Sequence, residues 1–173
     1  MSKKPILGVL LGNSAGVGPE LVAMLAVKDY YADYCRPVII GDLRMFEHGL
    51  KVVGGDVPHY VIDNLDQCDW EKGYPVLDLK DQDPAQVVYG EANKYCGAGD
   101  LHQLDTAIEL CKTGKIEGFV FGPFHKGAMK MAGMHDESEH TYLANAFGLT
   151  TPFCEVNMMD DLMTVRTTSH IPI

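Results

Sequence analysis

Residues 6–20 read Ile6-Leu7-Gly8-Val9-Leu10-Leu11, then Gly12-Asn13-Ser14-Ala15-Gly16-Val17-Gly18, then Pro19-Glu20. The first part is an apolar run of strand length and the second is a glycine-rich loop. The third part opens a helix, because proline suits the first helical position and glutamate suits the positive end of a helix. A strand, a tight loop and a helix in this order indicate the opening unit of an α/β protein.

The rest of the chain continues the alternation of strands and helices. The patterns predict strands at 37–41, 59–62, 75–79 and 116–121, and helices at 19–28, 43–53, 99–111, 127–132 and 138–147. A hairpin is predicted from 153–159 and 162–169. We therefore expect an α/β sheet with helices on its faces, made mixed by the antiparallel strands of the hairpin.

Composition narrows the class of partner. The chain has 173 residues, 46% of them hydrophobic, and a formal net charge of -10. This length suffices for a domain with a real core. The negative field disfavours nucleic acid and anionic membranes, so neither is expected as a partner. An anionic small substrate would need a local positive site.

The cysteines and the N-terminal residues indicate the cellular compartment in which the protein is expected. The five cysteines include no CxxC pair and are odd in number, which favours reduced thiols over a zinc knot or a disulfide framework. The apolar run at Ile6–Leu11 is too short for a signal core, and no segment is long and apolar enough to span a bilayer. These features predict a cytoplasmic protein.

The glycine loop is the first candidate site. A glycine loop between a strand and a helix can surround an anion with backbone N–H groups. Its spacing is not the GxGxxG of dinucleotide sites, and Asp42 at the end of the second strand is weak support for one. Two interpretations stay open, a tight structural turn or a wall of a substrate cleft.

The second candidate is Gly122-Pro123-Phe124-His125-Lys126-Gly127, which follows a predicted strand. Ligands of open α/β sheets collect beyond the carboxyl ends of strands. His125 or Lys126 could therefore meet an anionic group, and the alternative is a solvated loop.

The third candidate is Asp136-Glu137-Ser138-Glu139-His140-Thr141. Asp136 and Glu139 are spaced as a capping box, which predicts a helix start. His140 shares a helical stripe with apolar residues, which is typical of a core histidine. The functional interpretation has His140 and Thr141 facing a cleft from the first turn of the helix, close to free N–H groups.

The fourth candidate is His170, in the terminal run Ser169-His170-Ile171-Pro172-Ile173. A histidine at a strand end before a proline can offer a ring nitrogen to a divalent ion. Catalytic zinc-type sites usually need three protein ligands, so His170 would be one part of a metal site.

Together these segments resemble the 4-hydroxythreonine-4-phosphate dehydrogenase family, including its paralogues that oxidise four-carbon phosphorylated sugar acids. Residues 12–20 are similar to its N-terminal signature, with Asn13 and Ser14 where aspartate and proline are usual. Gly122–Lys126 resembles its strand-end motif, with His125 in place of asparagine. Glu139-His140-Thr141-Tyr142 resembles its Gly-His-Thr-Glu substrate motif, and Thr168-Ser169-His170-Ile171-Pro172 resembles its metal-histidine segment.

The resemblance carries expectations about fold and assembly. It implies a three-layer α/β/α fold like that of isocitrate and isopropylmalate dehydrogenases. It also implies that residues 1–173 are an N-terminal portion of about half the family's length, with the second subdomain cut short. The expected activity therefore belongs to the full-length protein, and this portion alone is expected to be inactive. Members work as homodimers with an active site shared between subunits.

The resemblance also implies the chemistry. It assigns substrate binding to His140 and Thr141 and metal binding to His170, with NAD and a divalent metal (Zn, Mg or Co) as cofactors; no catalytic base is assigned. The expected reaction is oxidation of a secondary hydroxyl on a small anionic phosphorylated four-carbon hydroxy acid, followed by decarboxylation. Two alternatives stay open: an aromatic cis-dihydrodiol carboxylate dehydrogenase of the same family, and a binding fragment without turnover.

Overall fold

The computed structural model describes residues 4–165 and divides the chain into two compact units, Met1–His135 and Asp136–Ile173. The first unit is built on a five-stranded sheet in the order β3-β4-β2-β1-β5, in which every neighbouring pair is parallel. Its strands are β1 Ile6–Leu10, β2 Arg36–Gly41, β3 His59–Ile62, β4 Tyr74–Asp78 and β5 Gly118–Phe121. Its helices are α1 Gly18–Val27, α2 Leu43–Val53, α3 Lys94–Lys112 and α4 Lys126–Met131.

Helices α1 and α2 cover one face of the sheet. They pack against each other, and their buried residues form one core with Val9, Leu11, Ile39 and Val76 of the sheet region. Alternate residues of a strand point to opposite faces, so Leu10, Val38 and Ile40 lie on the other face. These three residues are fully buried as well, which shows that both faces of the sheet are covered.

Helix α3 covers the second face. It contacts β1, β2 and β5, and its buried Leu104, Ala107 and Ile108 lie outside the first core. The unit is therefore a three-layer α/β/α structure, and the predicted α/β class is confirmed.

Two loops at the carboxyl edge of the sheet approach so closely that only glycine fits. A Cβ atom on Gly12, whose φ is +78°, would lie 2.6 Å from the carbonyl carbon of Gly122. A Cβ atom on Gly18 would lie 2.2 Å from the carbonyl oxygen of Leu11. Gly12 and Gly18 are thus explained by close contact between backbone segments.

Helix α3 begins earlier than the sequence predicts. Its N-cap is Asn93, whose side chain accepts a hydrogen bond from the N–H of Cys96. Gly97 and Gly99 weaken the helical signal of these first two turns. Gly97 is required by packing, since its Cβ atom would lie 2.0 Å from the carbonyl oxygen of Ala128 in α4.

The second unit contains helix α5 (Glu139–Ala146) and the strands β6 (Val156–Met159) and β7 (Leu162–Val165). The strands pair antiparallel, as the predicted hairpin requires. In the described residues they form a separate two-stranded sheet, so the expectation that they would make the main sheet mixed is wrong for residues 4–165. Periodicity identifies strands but does not specify which sheet they join.

Over residues 4–165, no helix combines the length and the apolar character needed to cross a bilayer. All five cysteines are free, as their spacing predicts.

Candidate functional site

A buried aspartate on α3 joins the two candidate loops of the first unit. Asp100 is fully buried, and its Oδ2 accepts hydrogen bonds from Asn13 Nδ2 at 2.7 Å and from the backbone N–H of His125 at 3.2 Å. The neighbouring Gln103 donates to the carbonyl of Gly12 and accepts from its N–H. Helix α3 therefore fixes the geometry of both loops through the side chains of Asp100 and Gln103.

Four backbone N–H groups of the glycine loop already donate to other atoms of the protein, two within the loop and two outside it. The N–H of Asn13 donates to the carbonyl of Pro123, and the N–H of Gly16 donates to the carbonyl of Asn13. The N–H of Ala15 donates to Asn13 Oδ1, and the N–H of Gly12 is taken by Gln103. The loop therefore does not fit the pyrophosphate of a dinucleotide, and of its two interpretations the structural turn explains these bonds directly.

Asp42 is likewise committed to the fold. It caps α2 through the N–H of Arg44 and accepts from the Arg44 side chain at 3.0 and 2.8 Å and from the N–H of Gln82 at 2.8 Å. Burial alone would raise the pKa of Asp42, but these hydrogen bonds outweigh burial and hold the pKa below its usual value. Its carboxylate is therefore an anchor for α2 and for the segment after β4.

His125 caps α4 and lines a pocket. Its Nδ1 accepts a hydrogen bond from the N–H of Ala128 at 3.2 Å, so in the neutral ring the proton lies on Nε2. The pocket measures about 290 Å³ and is lined by residues of the glycine loop, by Gly90 and Glu91, and by Pro123 and Phe124 beside His125. The arrangement can present an Nε2–H donor at the carboxyl edge of the sheet.

A histidine–carboxylate pair at the same edge went unnoticed in the sequence. His102 Nδ1 lies 2.7 Å from Asp81 Oδ2. Burial raises the pKa of Asp81, and the hydrogen bond from His102 offsets part of that effect. The two residues are 21 positions apart on a loop and on α3, so spacing gave no signal of the pair.

In the second unit, Ser138 organises the predicted substrate motif. Its side chain caps α5 by accepting the N–H of Thr141 at 3.3 Å, and its Oγ lies 2.9 Å from both His140 Nδ1 and Thr141 Oγ1. The predicted cap at Asp136 is wrong. Ser138 directly precedes α5 and its side chain caps the free N–H groups of the first turn. Asp136 instead accepts a hydrogen bond from Asn145 Nδ2 at 2.5 Å.

The ring of His140 is held from one side. Glu155 Oε1 lies 3.5 Å from Nδ1, and the ring of Phe153 contacts it edge-on at 5.8 Å between centroids. The His140 side chain is 30% exposed, so it is neither a core histidine nor a free surface one. The structure brings His140 and Thr141 together around one hydroxyl group.

His170, the predicted metal ligand, lies outside the described residues. Between residues 4 and 165, no group of three or more histidine, cysteine, aspartate or glutamate side chains is placed to hold a metal ion. These residues by themselves therefore do not form a metal site.

Comparison with known proteins places these features in a family. The family model described as "Pyridoxal phosphate biosynthetic protein PdxA" matches residues 33–173. A Pseudomonas aeruginosa protein named provisionally as 4-hydroxythreonine-4-phosphate dehydrogenase 2 is 34% identical over 170 residues, which are 98% of this chain and 50% of that protein. The D-threonate 4-phosphate dehydrogenase of Bordetella bronchiseptica is 33% identical over 99% of this chain and 49% of its own length.

A solved structure agrees with the sequence relatives. The crystal structure of a 4-hydroxythreonine-4-phosphate dehydrogenase from Burkholderia phymatum superposes with a TM-score of 0.89 at 25% identity, covering 99% of this chain and 52% of that chain. The chain spans about half the length of the relatives that it matches. With a family match over residues 33–173 and the same fold in the first unit, the chain belongs to the PdxA family of pyridoxal phosphate biosynthetic proteins.

Proposed function

We propose that the protein oxidises a secondary hydroxyl on a phosphorylated four-carbon hydroxy acid, of the 4-hydroxythreonine 4-phosphate or 4-phospho-threonate or -erythronate type. The observation that carries the proposal is its family membership, since relatives that match almost the whole chain are named as dehydrogenases of such acids. The proposal includes NAD, a divalent metal with His170 as one ligand, and decarboxylation of the product, all of which rest on the family resemblance. When bound, NAD would accept the hydride and the metal would act as a Lewis acid on a substrate oxygen.

His140 is assigned to substrate binding through Nε2. Ser138 Oγ lies 2.9 Å from Nδ1 and 3.5 Å from Nε2, and Glu155 Oε1 lies 3.5 Å from Nδ1. Nε2 therefore has the weaker contacts and is the nitrogen that can turn to a ligand. Thr141 lies beside it, with its Oγ1 sharing the same serine hydroxyl. Two polar atoms from the first turn of α5 can thus orient one substrate.

A substrate with a phosphate group also needs local compensation for the charge of the protein. The formal net charge is -10, so an anion is repelled at long range and must be held by nearby donors. A histidine, a threonine hydroxyl and the N-terminal turn of α5 supply such donors in the described residues.

The test is NAD reduction by the purified full-length protein, of which residues 1–173 are expected to be a part, with 4-hydroxythreonine 4-phosphate, 4-phosphothreonate and 4-phosphoerythronate. We expect turnover with at least one of them, loss of turnover after dialysis against a chelator, and recovery with Zn²⁺, Mg²⁺ or Co²⁺. Turnover that survives complete metal removal would contradict the metal part of the proposal. Turnover only on an aromatic cis-dihydrodiol carboxylate would show that the substrate belongs to that class and is not a phosphorylated acid.

Two variants test the role of His140. His140→Asn should raise the KM for the phosphorylated acid by about tenfold or more, since one hydrogen bond to a charged group is lost. Glu155→Gln should raise KM less, because it only loosens the ring. Exposed Glu109→Gln on α3 is the matched control and should leave KM unchanged. An unchanged KM in His140→Asn would remove the assignment.

The proposal also includes a homodimer whose active site draws on both subunits. Sedimentation equilibrium of the purified protein measures this directly. A mixture of two inactive variants, each altered at a different predicted site residue, should regain activity if the sites are shared. Activity of a strictly monomeric protein would contradict the shared site.

A further inference from the structure

A pocket lies at the amino edge of the sheet, opposite to the carboxyl edge that carries the candidate loops. It measures about 420 Å³, within the size range of small-molecule sites. Arg36 and Tyr74 line it, and they are the first residues of β2 and β4. The pocket shares no lining residue with the glycine loop, the strand-end motif or the substrate motif.

The aromatic wall of the pocket is fixed by hydrogen bonds. Trp70 donates its Nε1–H to the carbonyl of Pro37 at 2.8 Å, and Tyr74 donates its hydroxyl to Ala26 or Asp29, both at 3.2 Å. Tyr31 packs edge-on against Tyr74, with 6.2 Å between ring centroids. Rings that are held in this way offer flat apolar surface with little ordering cost on binding.

The cationic wall is organised around Arg36. Its guanidinium lies over the ring of Trp70 at 4.7 Å, and its Nε donates to the carbonyl of Lys4 at 3.0 Å. In the part of the chain that the structure describes, its two terminal nitrogens make no hydrogen bond or ion pair. The pocket is lined by three cationic side chains (Lys4, Arg36, Lys72) and two acidic ones (Asp29, Glu71). Lys72 is paired with Asp69 at 3.2 Å, so Arg36 is the cation on which binding of an anion depends.

Tyr31 adds a buried donor. Its side chain lines the pocket, only 8% of the residue is exposed, and its hydroxyl has no hydrogen-bond partner among the described residues. Burial, with smaller contributions from Tyr74 and Cys35, raises the pKa of Tyr31 well above its usual value, so the phenol stays protonated. A buried hydroxyl without a partner is uncommon in folded proteins and is a sign that an acceptor belongs nearby.

We propose that this pocket binds a small flat aromatic anion. Arg36 holds the anionic group through its terminal nitrogens, Trp70 and Tyr74 contact the ring, and the Tyr31 hydroxyl donates to the same anionic group or to an acceptor on the ring. A guanidinium suits either a carboxylate or a phosphate, because its paired N–H donors match both groups. An aromatic ring is required by the proposal, since the flat faces of Trp70 and Tyr74 stack on a planar ring and fit a puckered saturated ring less well.

The test uses the 173-residue chain and four probes: benzoate, phenyl phosphate, cyclohexanecarboxylate and inorganic phosphate. Trp70 is the sole tryptophan, so its fluorescence reports on this pocket alone. We expect benzoate or phenyl phosphate to change the fluorescence saturably with one site per chain. The one that binds more tightly identifies the anionic group. The saturated acid and free phosphate should bind at least about tenfold more weakly.

Variants separate the pocket from the rest of the surface. Arg36→Gln should weaken binding by about tenfold or more, which is the loss of a charge-assisted hydrogen bond. Lys112→Gln removes one exposed positive charge at the end of α3 and should leave binding unchanged. Tyr31→Phe removes only the unpartnered hydroxyl, so it should fold normally and weaken binding several-fold. If Arg36→Gln fails to fold, the affinity of Tyr31→Phe for the aromatic anion still tests the proposal.

Three results would overturn the proposal. One is the absence of a saturable signal with either aromatic anion up to about 10 mM, a concentration above the Kd of even a weak specific site. Another is equal binding of benzoate and cyclohexanecarboxylate. The third is undiminished binding in both Arg36→Gln and Tyr31→Phe. None of these results bears on the dehydrogenase activity, which is assigned to other residues.

Discussion

At the scale of single residues, buried carboxylates carry the structure of the candidate site. Asp100 is 0% exposed and accepts from Asn13 Nδ2 and from the N–H of His125, so it determines how two loops of unrelated sequence lie beside each other. The sequence shows an aspartate in a helix but not its burial, because Asp100 occupies a position next to apolar Leu101 and Leu104 that could equally face solvent. The burial of Gln103 on the same helix is hidden from the sequence for the same reason.

Asp100→Ala should lower the free energy of unfolding by about 3 kcal/mol, because two buried donors lose their acceptor and each costs about 1–3 kcal/mol. Urea denaturation of the 173-residue chain measures the loss. Glu109→Ala, at an exposed position of the same helix, is the control and should stay within about 0.5 kcal/mol of wild type. Equal stability of the two variants would show that Asp100 does not hold the loops.

Arg44→Gln should destabilise the chain in a pH-dependent way. Asp42 is buried and its pKa lies below the unfolded value of about 4, so its stabilisation is complete above that pH and disappears as the pH falls through the folded pKa. The loss at pH 7 should be about 2 kcal/mol, a modest value because the Arg44 side chain is 46% exposed and screened by solvent.

The measurement is urea denaturation of wild type and Arg44→Gln from pH 7 down to about pH 3. The difference between them should be full at pH 7 and should shrink below about pH 4. Lys51→Gln removes a positive charge from the exposed face of the same helix and should show no such trend. A difference that is constant with pH would mean that Asp42 is not the partner whose charge matters.

At the scale of elements, the apolar periodicity of α3 predicts that a helix exists but not where it begins. The apolar stripe of residues 101–111 predicts a helix that begins near Gly99. The helix instead begins at Lys94, with Gly97 in its first turn and Gly99 in its second. Both glycines are there for packing: Gly97 lies against the backbone of α4 and Gly99 against Gln82. Local sequence cannot show this, because the contacts come from segments far along the chain.

Gly97→Ala should destabilise the chain, although alanine favours helices by about 1 kcal/mol over glycine. The added Cβ atom would lie 2.0 Å from the carbonyl oxygen of Ala128, and the clash should cost more than about 2 kcal/mol. Thermal unfolding measures the effect. Ala98→Gly, at the neighbouring exposed position, measures the effect of helix propensity alone and should lower the free energy of unfolding by about 1 kcal/mol. A stabilised Gly97→Ala variant would refute the close approach of α3 and α4.

At the scale of the whole molecule, the alternation of strands and helices sufficed to predict the α/β class and most element positions. The order of strands β3-β4-β2-β1-β5 was not predicted, because strand order depends on which edges meet and not on any one segment. The separate pairing of β6 with β7 follows from the same ambiguity. The substrate motif was found by resemblance, and its supporting serine became visible only from the structure.

The first unit should fold on its own. The core formed by the sheet with α1 and α2 lies entirely within residues 1–135, and so does α3. Residues 1–135, produced alone, should unfold cooperatively with a near-ultraviolet circular dichroism spectrum typical of fixed side chains. A compact state without fixed packing would show that the core depends on residues beyond His135.

The account rests most heavily on recognition of the phosphate group of the substrate. The direct measurement is kcat/KM for 4-phosphothreonate and for threonate, which differ only in that group, with the purified protein, NAD and a divalent metal. The account predicts at least about a hundredfold preference for the phosphorylated acid, since a site built for a charged group discriminates strongly against its absence. Equal values for the two acids, or a preference for threonate, would contradict it.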